Sequence, residues 1–120
     1  MILLITSNGE KFKVIKQHST SEKDALVVTN ADGIRVATFT WNVFTGEIGS
    51  VRVEACVGEI GAWGTDDYIP GINYQRRGIA TALLRLANTY TPIKHSAFRT
   101  GAGDKWAHST GDPLPPLNRN

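Results

Sequence analysis

Gln75-Arg76-Arg77-Gly78-Ile79-Ala80 runs without a break into Thr81-Ala82-Leu83-Leu84-Arg85-Leu86-Ala87, and this junction limits the fold more than any other stretch. Ile79, Leu83, Leu86 and Tyr90 recur at helical spacing, with Ala80, Leu84 and Ala87 widening the apolar stripe. That pattern predicts an amphipathic helix packed along one side. Thr91-Pro92 ends it, because proline disfavours helical geometry in the residue before it. The start of the helix is chemically marked. First-turn amides lack intrahelical partners and sit at the positive end of the helix dipole, so a phosphate placed there satisfies both. Gly78, lacking a Cβ, lets an anion approach the backbone closely. Arg76 and Arg77 add planar donor forks that match phosphate oxygens. The same pattern also serves as an ordinary solvated helix start, and these residues alone leave both readings open.

Tyr74 through Ala87 resembles the acyl-CoA-binding segment of the GNAT superfamily of N-acetyltransferases, which carries a Q/R-x-x-G-x-G/A turn between a strand and a helix. Gln75, Arg76, Arg77, Gly78, Ile79 and Ala80 match that turn position by position, and Thr81 follows in the first helical turn. The resemblance covers about fifteen residues. It implies that the backbone amides of the turn hold the pyrophosphate of acetyl-CoA. It also implies an α+β fold: a central, mostly antiparallel sheet, a cofactor-binding helix after the turn, and a second helix near the C-terminus. Two departures stand out. The family has helices between its first two strands where only residues 19–24 are available here, and it ends with further strands.

Composition bounds the rest. At 120 residues, 41% apolar and 20% charged, the chain is expected to form one domain over residues 1–112, with a proline-rich tail at 113–120. No apolar stretch is long enough to predict a membrane span, and residues 1–5 are too short for a signal-peptide core. The one cysteine, Cys56, excludes an internal disulfide and a multi-thiolate metal site, and a cytoplasmic location is expected. Residues 1–69 carry six Lys/Arg against nine Asp/Glu, whereas residues 70–120 carry seven against two. An acidic half joined to a basic half fits one anion-binding face, for a phosphorylated cofactor or a nucleic acid.

Along the chain, residues 2–6 read as a strand, Asn8-Gly9 as a hairpin turn and residues 11–16 as the returning strand. Strands are expected again at 25–29 and 34–41, joined by the turn Asn30-Ala31-Asp32-Gly33. A further strand is expected over 47–57 after a second turn, completing an antiparallel meander. For residues 58–73 the favoured reading is a long loop after a strand through Glu54, and the alternative is a second strand near 60–63. Residues 93–98 read as a short strand. Thr100 is placed to cap a second helix over 101–110, and Gly111 to end it. With the 93–98 strand at an unprotected edge, a homodimer covering it is expected.

Acyl transfer to an amine requires a base for the acceptor, polarisation of the thioester carbonyl, and a proton for the departing thiolate. The resemblance implies a carboxylate near the strand before the turn as base, which points to Glu54. It also implies that the strand after the helix passes the thiol end of the cofactor, which puts His95 and Ser96 in position for proton handling. The tyrosine that often serves the family as acid has no counterpart after Tyr90. Asp66 and Asp67 are candidates for meeting a cationic acceptor, and Arg99 for contacting cofactor or acceptor. No cluster has metal-ligand spacing. The leading expectation is an acyltransferase moving an acetyl group from acetyl-CoA to an amine by direct transfer. Its rivals are a non-catalytic module binding coenzyme A or nucleic acid, and a nucleic-acid-modifying enzyme.

Overall fold

The computed structural model describes residues 2–55, 57, 60–61, 68–69 and 72–117. Five consecutive strands, β1 (Ile2–Ile5), β2 (Lys11–His18), β3 (Lys23–Thr29), β4 (Arg35–Asn42) and β5 (Ile48–Val53), pair in sequence order as an antiparallel meander. Three of the turns are built on asparagine and glycine. Gly9 closes the first at positive φ. In the second, Asn30 Oδ1 accepts from the amides of Asp32 and Ile34 at 2.9 and 3.0 Å. In the third, Asn42 Oδ1 accepts from Phe44 and Thr45 at 2.8 and 3.0 Å. These side chains stand in for backbone partners and set the strand register locally.

Strand alternation sorts the apolar residues onto one face. Leu4 lies opposite Phe12, Val14 opposite Val28, Leu26 opposite Phe39, and Phe39 opposite Val51. Over this face lies α1 (Ile79–Ala87), which buries Ile79, Leu83, Leu84 and Ala87 and packs against β1, β4 and β5. Trp41 and Phe39 are wholly buried beneath it. The other face is open, and Leu3, Ile5 and Ile15 are exposed there.

After β5, a two-stranded hairpin of β6 (Ile60–Gly61) and β7 (Tyr68–Ile69) replaces the long loop favoured from the sequence, and a bridge joins Val57 to Ile72. A short second strand near residue 60 is thus the better description. The second helix, α2 (Gly101–Ser109), begins where expected: Thr100 Oγ1 accepts from Gly103 N–H at 3.1 Å, and Gly111 follows at φ +75°.

The GNAT-like fold class does not hold. The sheet is a small antiparallel meander, and the described residues form two nine-residue helices, fewer than the acetyltransferase fold carries. Residues 93–98 form no strand. Their backbone bridges to the sheet at Lys94, whose N–H donates to Gly46 O at 2.8 Å and whose carbonyl accepts from Ile48 N–H at 2.9 Å. Pro92 removes a backbone donor from this segment, and it runs along the turn before β5 rather than beside the strand. The exposed edge on which the homodimer expectation rests is therefore not formed by this segment. Among the described residues, no helix is long and apolar enough to cross a membrane.

Candidate functional site

The turn before α1 is pinned to the end of β5. Tyr74 N–H donates to Glu54 O at 3.0 Å, and Gln75 Nε2 donates to Val53 O at 3.0 Å. Asn73 Oδ1 accepts from Gln75 N–H at 2.8 Å. Arg76 and Gly78 both hold left-handed φ angles, +62° and +83°, on either side of Arg77. Alternation of this kind directs successive amides into one concavity, an arrangement suited to anions. Gly78 is the N-cap of α1; no side chain caps the helix, and its first turn holds no acidic residue. Among the described residues, nothing hydrogen-bonds the amides of residues 78–81. The positive end of the helix is left for a ligand or for water.

The two arginines have separate tasks. Arg77 turns back onto the scaffold: Nε donates to Asn73 O at 2.9 Å, Nη1 donates to Glu10 Oε2 at 3.1 Å, and the guanidinium lies 5.1 Å from the Tyr74 ring centroid. Arg76 instead lines a groove of about 590 Å³. Val51 and Val53 of β5 form its apolar wall, and residues 78–81 form its floor at the start of α1. One side of α2 closes it with the cap residue Thr100 and with Lys105 and Trp106. Trp106 Nε1–H donates to Thr81 Oγ1 at 3.1 Å and so ties the middle of α2 to the first turn of α1. No carboxylate is among the described residues lining the groove, so Arg76 and Lys105 act there without a neutralising partner.

The structure therefore gathers Gln75, Arg76, Gly78, Ile79, Ala80 and Thr81 around one groove, and leaves Arg77 outside it. The expected acid–base residues are not among its walls. Glu54 accepts from Arg52 Nε at 2.8 Å, and alternation along β5 directs this pair away from Val51 and Val53. Ser96 Oγ accepts from Phe98 N–H at 2.9 Å. The Arg99 side chain is largely buried and engaged with protein: Nε bonds Asp104 Oδ1 at 2.8 Å, and Nη1 donates to the carbonyls of Ser96 and Pro115 at 2.5 and 3.1 Å. It ties α2 to the C-terminal segment, which is a structural task. Asp66, Asp67 and Cys56 lie outside the described residues.

His95 is buried and packs against Trp106, with 5.5 Å between ring centroids, yet it lines a different cleft of about 600 Å³. Its Nε2 lies 3.3 Å from Asp112 Oδ2 and 3.2 Å from Thr110 Oγ1. Asp112 also accepts from Arg85 Nη1 at 3.4 Å. Partial burial works to raise the Asp112 carboxyl, but hydrogen bonds from His95 and Arg85, with the charges of both, outweigh it and hold the group below 3.8.

Sequence reasoning missed Lys105 and the groove role of Trp106. Nothing in the local pattern of α2 says that it packs beside the first turn of α1; the Trp106–Thr81 bond reveals it. Among the described residues no cluster of His, Cys, Asp or Glu is arranged to hold a metal ion. Comparison with known proteins finds no family model, no curated relative and no solved structure that matches this chain.

Proposed function

We propose that the chain is an acyltransferase that holds acetyl-CoA by its pyrophosphate at the start of α1 and passes the acyl group to an amine. The observation that carries this reading is the uncapped, left-handed entry to α1, opening with Arg76 and Lys105 onto one groove that no carboxylate lines among the described residues. Phosphate oxygens accept from the amides of residues 78–81, and Arg76 supplies a two-pronged donor. The Thr81 hydroxyl accepts from Trp106 and keeps its own hydrogen to donate. The apolar wall of Val51 and Val53 suits the pantetheine arm. The resemblance of residues 74–87 to the acetyltransferase turn supports the choice of cofactor; the reading rests on this site and not on a fold family.

A second reading has its own support. None of Glu54, His95 and Ser96 lines the groove, which favours a module that binds coenzyme A, or the backbone of a nucleic acid, without turnover. Thermal unfolding with acetyl-CoA and with duplex DNA separates ligand classes, since a ligand bound only by the folded state stabilises it, by about 2.7 kcal/mol at 100-fold excess over Kd. Thiol release with pooled amine acceptors then separates enzyme from module. Arg76→Glu is expected to abolish the acetyl-CoA shift while the unliganded midpoint stays put. Arg77→Glu is expected to lower that midpoint by opposing Glu10. An unchanged midpoint in saturating acetyl-CoA refutes the reading.

A further inference from the structure

We propose that His95 is a proton acceptor held by Asp112, and that the cleft it lines receives the amine acceptor. The hydrogen-bond inventory decides the tautomer. Thr110 Oγ1 donates its one hydrogen to Ala107 O at 2.7 Å, so toward His95 it is an acceptor. Asp112, ionised and gripped by Arg85, is an acceptor too. Nε2 faces two acceptors and therefore carries the hydrogen, which leaves a lone pair on Nδ1. Among the described residues, nothing hydrogen-bonds Nδ1. Although the side chain is only 3% exposed, Nδ1 is not among the described side-chain atoms sealed from solvent without a partner, so a small molecule can reach it. Here one nitrogen is fixed by a carboxylate and a hydroxyl while the residue borders an open cleft, which is the orientation logic of a base and its positioning carboxylate.

The cleft suits a small primary amine on an apolar arm. Ile93, Pro113 and Leu114 supply apolar wall, and Glu47 supplies a carboxylate for the incoming ammonium. The other charged groups facing His95 are Lys94 in the same cleft, and Arg85 through Asp112. The ammonium gives one proton to Nδ1, and Asp112 stabilises the imidazolium. Trp106 lines the groove and packs on His95, so the acyl end passes around its ring into the cleft, where the amine nitrogen bonds the acyl carbon as the bond from that carbon to its leaving group breaks. The second amine proton departs with the leaving group, and the imidazolium returns its proton to solvent. Assigning the acceptor rests on the acyl-transfer reading above; the competence of the dyad does not.

The test uses the full chain and an acyl donor that needs no coenzyme groove. Nitrogen-15 NMR of the wild type is expected to show His95 protonated at Nε2 and bare at Nδ1. Aminolysis of 4-nitrophenyl acetate by butylamine is expected to exceed the uncatalysed rate and show a solvent deuterium isotope effect. His95→Gln is expected to lower that excess on the order of 100-fold. Asp112→Asn is expected to lower it as well and shift the hydrogen toward Nδ1, while His18→Gln leaves it unchanged. A wild-type His95 carrying its hydrogen on Nδ1 overturns the proposal, as does full aminolysis in a folded His95→Gln. Ester aminolysis that depends on His95 in a chain that ignores acetyl-CoA keeps the dyad and removes the groove assignment.

Discussion

Gly46→Ala is expected to be among the most damaging single-methyl changes in this chain. Gly46 holds φ +76° in the turn between β4 and β5, and a Cβ there would lie 1.9 Å from the carbonyl oxygen of Pro92. Its own carbonyl accepts from Lys94 N–H at 2.8 Å, and Lys94 O accepts from Ile48 N–H at 2.9 Å. An alanine at left-handed φ costs about 1–2 kcal/mol. The clash is with backbone, so segment 92–94 must move away and both hydrogen bonds weaken, at about 1 kcal/mol each. The smaller entropy of the unfolded alanine chain offsets about 0.4–1 kcal/mol. The net loss is about 3 kcal/mol, a large part of the ~5–15 kcal/mol that holds a domain together. Gly9→Ala is the matched control: φ is +86°, but nothing lies within 4 Å of the new methyl, so only the local strain of about 1 kcal/mol remains. Urea unfolding of the three proteins, with slopes compared to verify a common unfolded state, measures the difference. If the two variants fall within about 1 kcal/mol of each other, the close approach of Pro92 to the turn is not real. The placement of His95, three residues on, would then lose its support.

Two further outcomes follow from the same contacts. Trp106→Phe keeps an aromatic ring but removes the indole donor to Thr81 and part of the packing against His95, and is expected to cost more than about 1 kcal/mol in thermal or urea unfolding; no loss would mean that α2 is held by other means. Asp112 is held below 3.8 in the folded protein, so its contribution is present above the unfolded value and is lost as pH falls through the folded one. The stability gap between wild type and Asp112→Asn, followed from neutral pH downward, is therefore expected to hold steady and then shrink below pH 3.8; a gap constant into strong acid would contradict the pairing with His95 and Arg85.

Much of the backbone path was legible from local chemistry. Asn8-Gly9, Asn30 with Gly33, and Asn42 with Gly46 each announce a turn, because a short amide side chain and a residue free to adopt positive φ close a hairpin without outside help. The apolar spacing from Ile79 to Ala87 announced α1, and Thr100 announced the start of α2. The short β6–β7 hairpin was less legible. With two residues per strand it has no periodicity to read, and its pairing joins positions eight residues or so apart. The strand expected at 93–98 failed for a different reason: Pro92 together with the Gly46 contact sends that segment across the sheet end.

By itself the amino-acid order determined the meander, both helices and an electropositive entry to the first of them, since each of these depends on neighbours a few residues apart. Folding in three dimensions decided everything that depends on distant pairs. It separated Arg76 from Arg77 by giving the second a partner in Glu10, 67 residues away. It brought Lys105 and Trp106 to the start of α1, and it set His95 against Asp112 in a cleft apart from the groove. Side-chain roles of this kind are fixed by which surfaces pack together. Short-range spacing carries no record of that choice.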